Sequence, residues 1–231
     1  GGYTPFSLDI TSLIKSGDNE LRVKVTHNVS ANLPSGKQSK QRDSFGCFYS
    51  RVTGIWQSVW LECTPADYIK NVCFFPDAQN GSVDIRLCVE GCGKAEIDIL
   101  YEGEPAGHAE GEVCARRTFS VPLKVSRLWE PGNGRLYDVV LRYGGDEVKS
   151  YFGLRDVRFE GMKFLLNGKS VFQRFVLDQG YYPEGLYTAP DESSMIRDIE
   201  LAMRLGFNGA RLHQKIFEPR FLYHCDRLGF M

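Results

Sequence analysis

The stretch FNGARLHQKIFEP, Phe207–Pro219, decides how the chain is to be read. Asn208–Leu212 reads as a short strand, followed at its end by His213, Gln214 and Lys215, and Pro219 is placed to open a helix. Period-two alternation puts Arg211 and His213 on one face, Leu212 and Gln214 on the other. Polar groups at the carboxyl end of a strand, directly before a helix, are where parallel α/β folds place their chemistry. Upstream, Asp191 can cap a helix with an apolar face of Ile196, Ile199, Met203 and Leu205, ended by Gly206. Farther back, MKFLLNGKSVFQRFVL (Met162–Leu177) predicts a hairpin about Asn167-Gly168, whose second arm runs on into a buried strand. A loop rich in Gly and Tyr, Asp178 to Pro190, joins that strand to the helix. The order is β-α-β-α, the opening of a parallel α/β unit; a closed barrel needs eight strands.

Everything before this unit reads as β. Leu21, Val23 and Val25 alternate with Arg22, Lys24 and Thr26, the pattern of a half-buried strand after a turn at Ser16–Asn19. Asn32 to Ser44 is polar, contains Pro34 and Gly36, and reads as a long surface loop. CFYSRVTGIWQSVWLEC, Cys47–Cys63, reads as two strands around Gly54. From Pro65 to Phe152, short strands at VDIRLCV, AEIDILY, RRTFSVPL and LYDVVLRY alternate with turns at Asn80-Gly81, Gly91-Cys92-Gly93, Pro131–Gly134 and Gly144-Gly145. That spacing predicts a sandwich of roughly 90 residues.

Composition sets outer bounds. The 231 residues are 42% hydrophobic and 25% charged, with a net charge of −1. This is ordinary globular composition, and it gives no electrostatic case for nucleic acid or an anionic membrane as partner. No apolar run approaches the roughly 18 residues of a membrane helix. The opening GGYTPFSLDI is strand-like, shows no signal peptide and suggests that the natural N-terminus lies upstream, which leaves the compartment open. The seven cysteines, mostly in apolar runs, read as buried free thiols. Cys88 and Cys92 form the exception: no second Cys/His pair follows at zinc spacing, so a strand thiol and a turn thiol are expected, with a local disulfide as the exported alternative.

Taken together, these residues resemble glycoside hydrolase family 2, the family of β-galactosidases and β-glucuronidases. Gly1–Thr11 and Arg51–Glu62 are similar to the closing strands of its jelly-roll domain. Leu128–Tyr143 resembles its late immunoglobulin-like sandwich, Ser150–Gly180 the joint to its (β/α)8 barrel, and Asp198–His213 the first barrel helix and second strand. The resemblance implies a mostly β, multidomain fragment. Residues 1–64 would be the end of a galactose-binding-like jelly roll, 65–153 an immunoglobulin-like β-sandwich, and 154–231 the first β/α units of a TIM barrel. It implies a retaining hydrolase of terminal β-linked sugars, with an oligosaccharide or glycoside as partner, no cofactor, no metal, and room for an oligomer in the full-length enzyme. The family's two catalytic glutamates stand on later barrel strands, so no catalytic residue is expected before Met231. Glu184, Glu192, Glu200 and Glu218 read as solvated charges.

Sugar contacts would fall to Asp178, Arg211 and His213 at the ends of the two strands. A carboxylate can accept from two sugar hydroxyls, and an arginine fork can fix a hydroxyl or a catalytic carboxylate. Tyr181, Tyr182 and Tyr187 offer either a stacking surface or loop packing. Many family members carry Arg-x-Ser-His-Tyr where this chain has Arg211-Leu212-His213-Gln214-Lys215, and a family His-Glu is replaced by Asp178-Gln179. Both departures point to a subgroup with altered sugar contacts. A non-catalytic carbohydrate-binding or scaffold module is the competing expectation, although such a module has no use for the β-α-β-α tail.

Overall fold

A computed structural model describes residues 2–28 and 33–231. The fold is mostly β, and among the described residues no helix is long and apolar enough to cross a membrane. Its main sheet runs β1 (Ile69–Asp77), β2 (Ser82–Tyr101), β3 (Glu104–Pro122), β4 (Tyr137–Tyr143) and β5 (Asp146–Phe152). β2 is the spine. Its first half pairs with β1, its second half with β4, and β3 runs antiparallel along both halves; β5 then pairs with β4. Val83, Ile85, Leu87, Ala95, Ile97 and Ile99 all point inward, and the two halves share one core with Val121, Tyr137, Val139, Leu141 and Leu154. Each buried Val, Ile or Leu among them contributes about 1.5–3 kcal/mol by leaving water. Tyr137 stacks on Phe152 at 4.9 Å, while its hydroxyl donates to the Val125 carbonyl and accepts from the Arg127 N–H, both at 2.7 Å. A buried tyrosine is thereby left with no unmet polar atom.

Two expectations for this sheet change. VDIRLCV and AEIDILY form one strand, bent by a register shift between Cys88 and Cys92, where Gly91 has φ 82°. β3 also reaches back to Glu104 through a Gly-rich stretch, because Glu102 and Gly103, with φ 52° and 83°, make a tight hairpin that commits the whole strand to β2. That pairing sets Cys92 opposite Cys114 with Cα atoms 4.3 Å apart, and the two form a disulfide. The free turn thiol and the local Cys88–Cys92 bridge are therefore both corrected, and Cys47 and Cys63 are exposed rather than buried.

The first 64 residues depart furthest. Among the described ones no strand forms, only the isolated pairings Gln38–Tyr49 and Phe45–Phe48. Leu21, Val23 and Val25 are exposed, and Arg51–Glu62 is irregular, so the strands expected here are corrected. An extended segment is stable only against a neighbour, and none of the described residues pairs with these. Gly1 and the first residue of the expected 32–44 loop lie outside the described residues.

After the sheet, β6 (Val157–Glu160), β7 (Lys163–Leu166) and β8 (Lys169–Ser170) form a small meander. Asn167 and Gly168 turn the expected hairpin with φ 53° and 75°. Then β9 (Phe175–Asp178), α1 (Glu192–Arg204), β10 (Gly209–Leu212) and α2 (Pro219–Leu228) give the predicted order, with β9 and β10 parallel. Asp191 caps α1 as expected, accepting from the Ser194 N–H at 2.7 Å. The buried face of α1 keeps Ile199, with Met203 packed beside it, but takes Met195 in place of Ile196, and Leu205 is exposed beyond the last turn. β9 is not the buried strand expected of it. The helices cover one face, and Phe172, Phe175 and Leu177 stand on the bare side or just before it.

The sheet docks on α2. The Trp129 indole, 2% exposed, donates to the Asp226 carbonyl at 2.6 Å, and Arg155 and Tyr151 reach the Asp226 carboxylate, both at 3.2 Å. Gly229 closes α2 at φ 74°, where a side chain would collide with the backbone of Gly132 and Asn133.

Candidate functional site

The carboxyl ends of β9 and β10 lie side by side. Arg211 is level with Leu177 and Leu212 with Asp178, and the His213 N–H donates to the Asp178 carbonyl at 2.8 Å. Val176, Ala210 and Leu212 pack against the helices, so Asp178 shares that side, whereas Arg211 and His213 project to the bare side. The structure thus brings Arg211 and His213 together and sets Asp178 across the sheet from them.

Arg211 NH1 lies 3.1 Å from His213 Nδ1. A guanidinium can only donate, so this contact requires a neutral imidazole with its proton on Nε2. Burial, then the Arg211 and Lys37 charges, hold His213 below the ordinary histidine range. The pair therefore presents an Nε2–H donor and an exposed fork with no carboxylate within ion-pair distance among the described residues. Donors of this kind suit a hydroxyl, a ring oxygen or a carboxylate.

Asp178 is more enclosed. Its Oδ1 accepts from the Gly180 N–H at 2.8 Å, and burial raises its carboxyl above the usual range, with Asp198 adding to the effect. Asp198 and Tyr182 lie beside it, and burial pushes both of these upward too.

Lys215 has no assigned role in the sequence reading, yet the structure makes it central. Its Nζ donates to the carbonyls of Gly180 and Tyr187, each at 2.6 Å. It also faces the rings of Tyr187, Phe217 and Trp56 at 4.5, 5.0 and 5.1 Å. Burial pushes this ammonium down to about 8. The tyrosines of the loop pack on one another and on the N-terminal segment: Tyr181 stacks on Tyr49 at 4.0 Å, and Tyr187 meets Trp56 at 4.9 Å. A Lys followed by Ile216 and Phe217, downstream of a Tyr-rich loop, was the only sequence signal for this cage. Glu192, read as solvated, bonds at 2.8 Å to the buried His224 and ties α1 to α2.

One other cluster has metal-ligand chemistry: Glu96, Asp98 and His108, on the outer face of the sheet, offer ligand atoms within 4.8 Å of one another. Asp98 already binds His108 at 2.8 Å and Arg142 at 2.6 Å, which satisfies its charge without an ion.

The chain is similar to known glycosidases throughout. It is 28% identical to the β-galactosidase of Thermoanaerobacter pseudethanolicus, over all of this chain and 33% of that protein. It is also 28% identical to the β-glucuronidase of Rattus norvegicus, over all of this chain and 39% of that one. The structure of Bacteroides uniformis β-glucuronidase 3 superposes with a TM-score of 0.69 at 25% identity, over 78% of this chain and 24% of that chain. No protein-family model matches. The chain spans about a third of the length of these curated relatives. Over its whole length it is similar to β-galactosidases and β-glucuronidases, in keeping with the resemblance of its sequence to glycoside hydrolase family 2.

Proposed function

We propose that this chain is part of a retaining β-glycosidase that removes terminal β-linked galactosyl or glucuronyl units in carbohydrate catabolism. The observation that carries the reading is the Arg211–His213 pair at the carboxyl end of two parallel strands, the end where barrel enzymes bind substrate. On this reading residues 1–64 close a jelly roll, 65–153 form an immunoglobulin-like sandwich, and 154–231 begin the barrel. Arg211 and His213 contact the sugar or a catalytic carboxylate from the open face, while Asp178 contributes from the opposite face of the strand pair, at the loop that covers it. Retaining hydrolysis needs two carboxyl groups roughly 5–5.5 Å apart. We assign that pair to later barrel strands, outside these 231 residues.

The test is hydrolysis of nitrophenyl β-galactoside and β-glucuronide. The 231-residue chain alone should be inactive, and the longer protein that carries it should turn over one of the two. Turnover by the rigorously purified 231-residue chain would overturn the assignment of the catalytic pair. A longer protein that binds immobilised oligosaccharide without hydrolysing any glycoside would favour the non-catalytic binding module.

A further inference from the structure

We propose that Lys215 is a positioning residue: it clamps the loop 179–190 and the Trp56 segment onto the carboxyl end of β10, and so fixes the frame from which Arg211 and His213 reach a sugar. The role in sugar binding rests on the glycosidase reading; the clamp itself does not.

Three separate chain segments meet at one ammonium. The loop supplies two carbonyls, Gly180 and Tyr187, and the ring of Tyr187. The N-terminal segment supplies the ring of Trp56, whose carbonyl accepts from the Thr188 hydroxyl at 2.8 Å. The β10–α2 connection supplies Lys215 itself and Phe217. The seat is tight: Gly180 sits at φ 64°, and a Cβ there would stand 2.7 Å from the Phe217 ring and 2.9 Å from Lys215 Nζ. Gly36 closes the far side, since a Cβ on it would clash with the Gln214 carbonyl.

The chemistry argues against a mere filler. Glu218 and Asp178 are the acids whose fields reach Lys215, yet among the described residues no carboxylate lies within ion-pair distance of it. A half-buried ammonium without an anion is costly unless dipoles and ring faces take its charge, and here two carbonyls and three rings do so. Methionine would fill the same volume, but it would leave both carbonyls without their donor. The clamp also bears directly on the site. Lys215 follows His213 by two residues through Gln214, which is held at φ 54°, so slack at Lys215 passes into the His213–Arg211 contact.

Hydrogen exchange and an NMR titration of His213 on the full 231-residue chain test this, comparing the wild type with Lys215→Met and Lys215→Arg. In Lys215→Met, amides of residues 180–188 should exchange about tenfold faster or more, with β2 and β4 amides unchanged. The His213 midpoint should move up toward 6.5, as the contacts that hold it low loosen. Lys215→Arg, which keeps charge and donors, should recover part of both effects. Unchanged exchange and an unchanged His213 midpoint in Lys215→Met would overturn the clamp. Should that variant unfold the whole β9–α2 unit, Trp56→Leu carries the test, because it removes one ring of the cage and leaves both carbonyls that hold Lys215; its other loss, the indole bond to the Gly2 carbonyl, lies outside residues 180–188. Faster exchange at residues 180–188 in Trp56→Leu supports the clamp, and unchanged exchange overturns it. Neither readout uses a sugar, so these results judge the clamp alone, and absence of glycoside hydrolysis by the longer protein would judge the glycosidase reading alone.

Discussion

In the sheet of β1–β5 both halves of β2 turn their apolar face into one closed core: Val83, Ile85, Leu87, Ala95 and Ile97 are fully buried. In the β9–α1–β10–α2 unit the same kinds of residue line both faces of two strands, but only the face toward the helices is covered, and Leu177 stays 51% exposed. The difference lies in what each strand has to pack against rather than in residue type. A sheet folded back on itself supplies its own second layer, whereas a parallel pair with helices on one side does not. The first region should therefore behave as a cooperative unit and the second as a docked, locally labile one, held by its helices, by Trp129 against α2 and by the Lys215 cage.

The two regions should separate most clearly at Tyr137. Tyr137→Ala removes a ring stacked on Phe152 and a hydroxyl that serves two backbone groups, so denaturant unfolding should show a loss of about 3–5 kcal/mol, felt across the whole sheet. Ile199→Ala should cost about 2–4 kcal/mol, but the loss should appear only as faster exchange within residues 175–231. A global loss would mean that the two regions unfold as one. Asp191→Ala removes the α1 cap and should cost about 1 kcal/mol, read from exchange in the first turn of that helix.

Another effect concerns pH. In the fold Lys215 titrates near 8, against an ordinary value of 10.5. Below pH 8 both states carry the charge and the burial penalty is fully present. Between 8 and 10.5 the unfolded chain holds more protons, so this group adds stability as pH rises. The neutral amine can still donate to both carbonyls. Melting curves from pH 7 to 10 should show the wild type gaining on Lys215→Met; parallel curves would mean that Lys215 is not desolvated in solution.

What the sequence made legible was local. The Asn167-Gly168 hairpin, the Asp191 cap, Pro219 at the start of α2 and the parallel pair at Asn208–Leu212 follow from turn chemistry, capping and period, and all four form. Alternation also placed Arg211 and His213 on one face. What failed was nonlocal. The Gly-rich start of β3 is a strand because β2 lies beside it, and Cys92 meets Cys114 only through that pairing. Leu21, Val23 and Val25 alternate as a strand should, yet they stand exposed and pair with no strand among the described residues. The Lys215 cage draws on Trp56 and Tyr187, far apart in sequence, and no spacing rule could have joined them.

If the end of β10 is a working edge of a glycosidase site, Arg211 must act on the bound sugar or on a catalytic carboxylate. Arg211→Lys keeps the charge and loses the planar fork. In the longer protein that carries this chain, the change should lower kcat/KM on its glycoside by about tenfold or more, about 1.4 kcal/mol, with the melting temperature unmoved, since Arg211 is exposed and carries no ion pair among the described residues. Intact activity together with a fallen melting temperature would contradict the account and make Arg211 a structural residue of the strand pair.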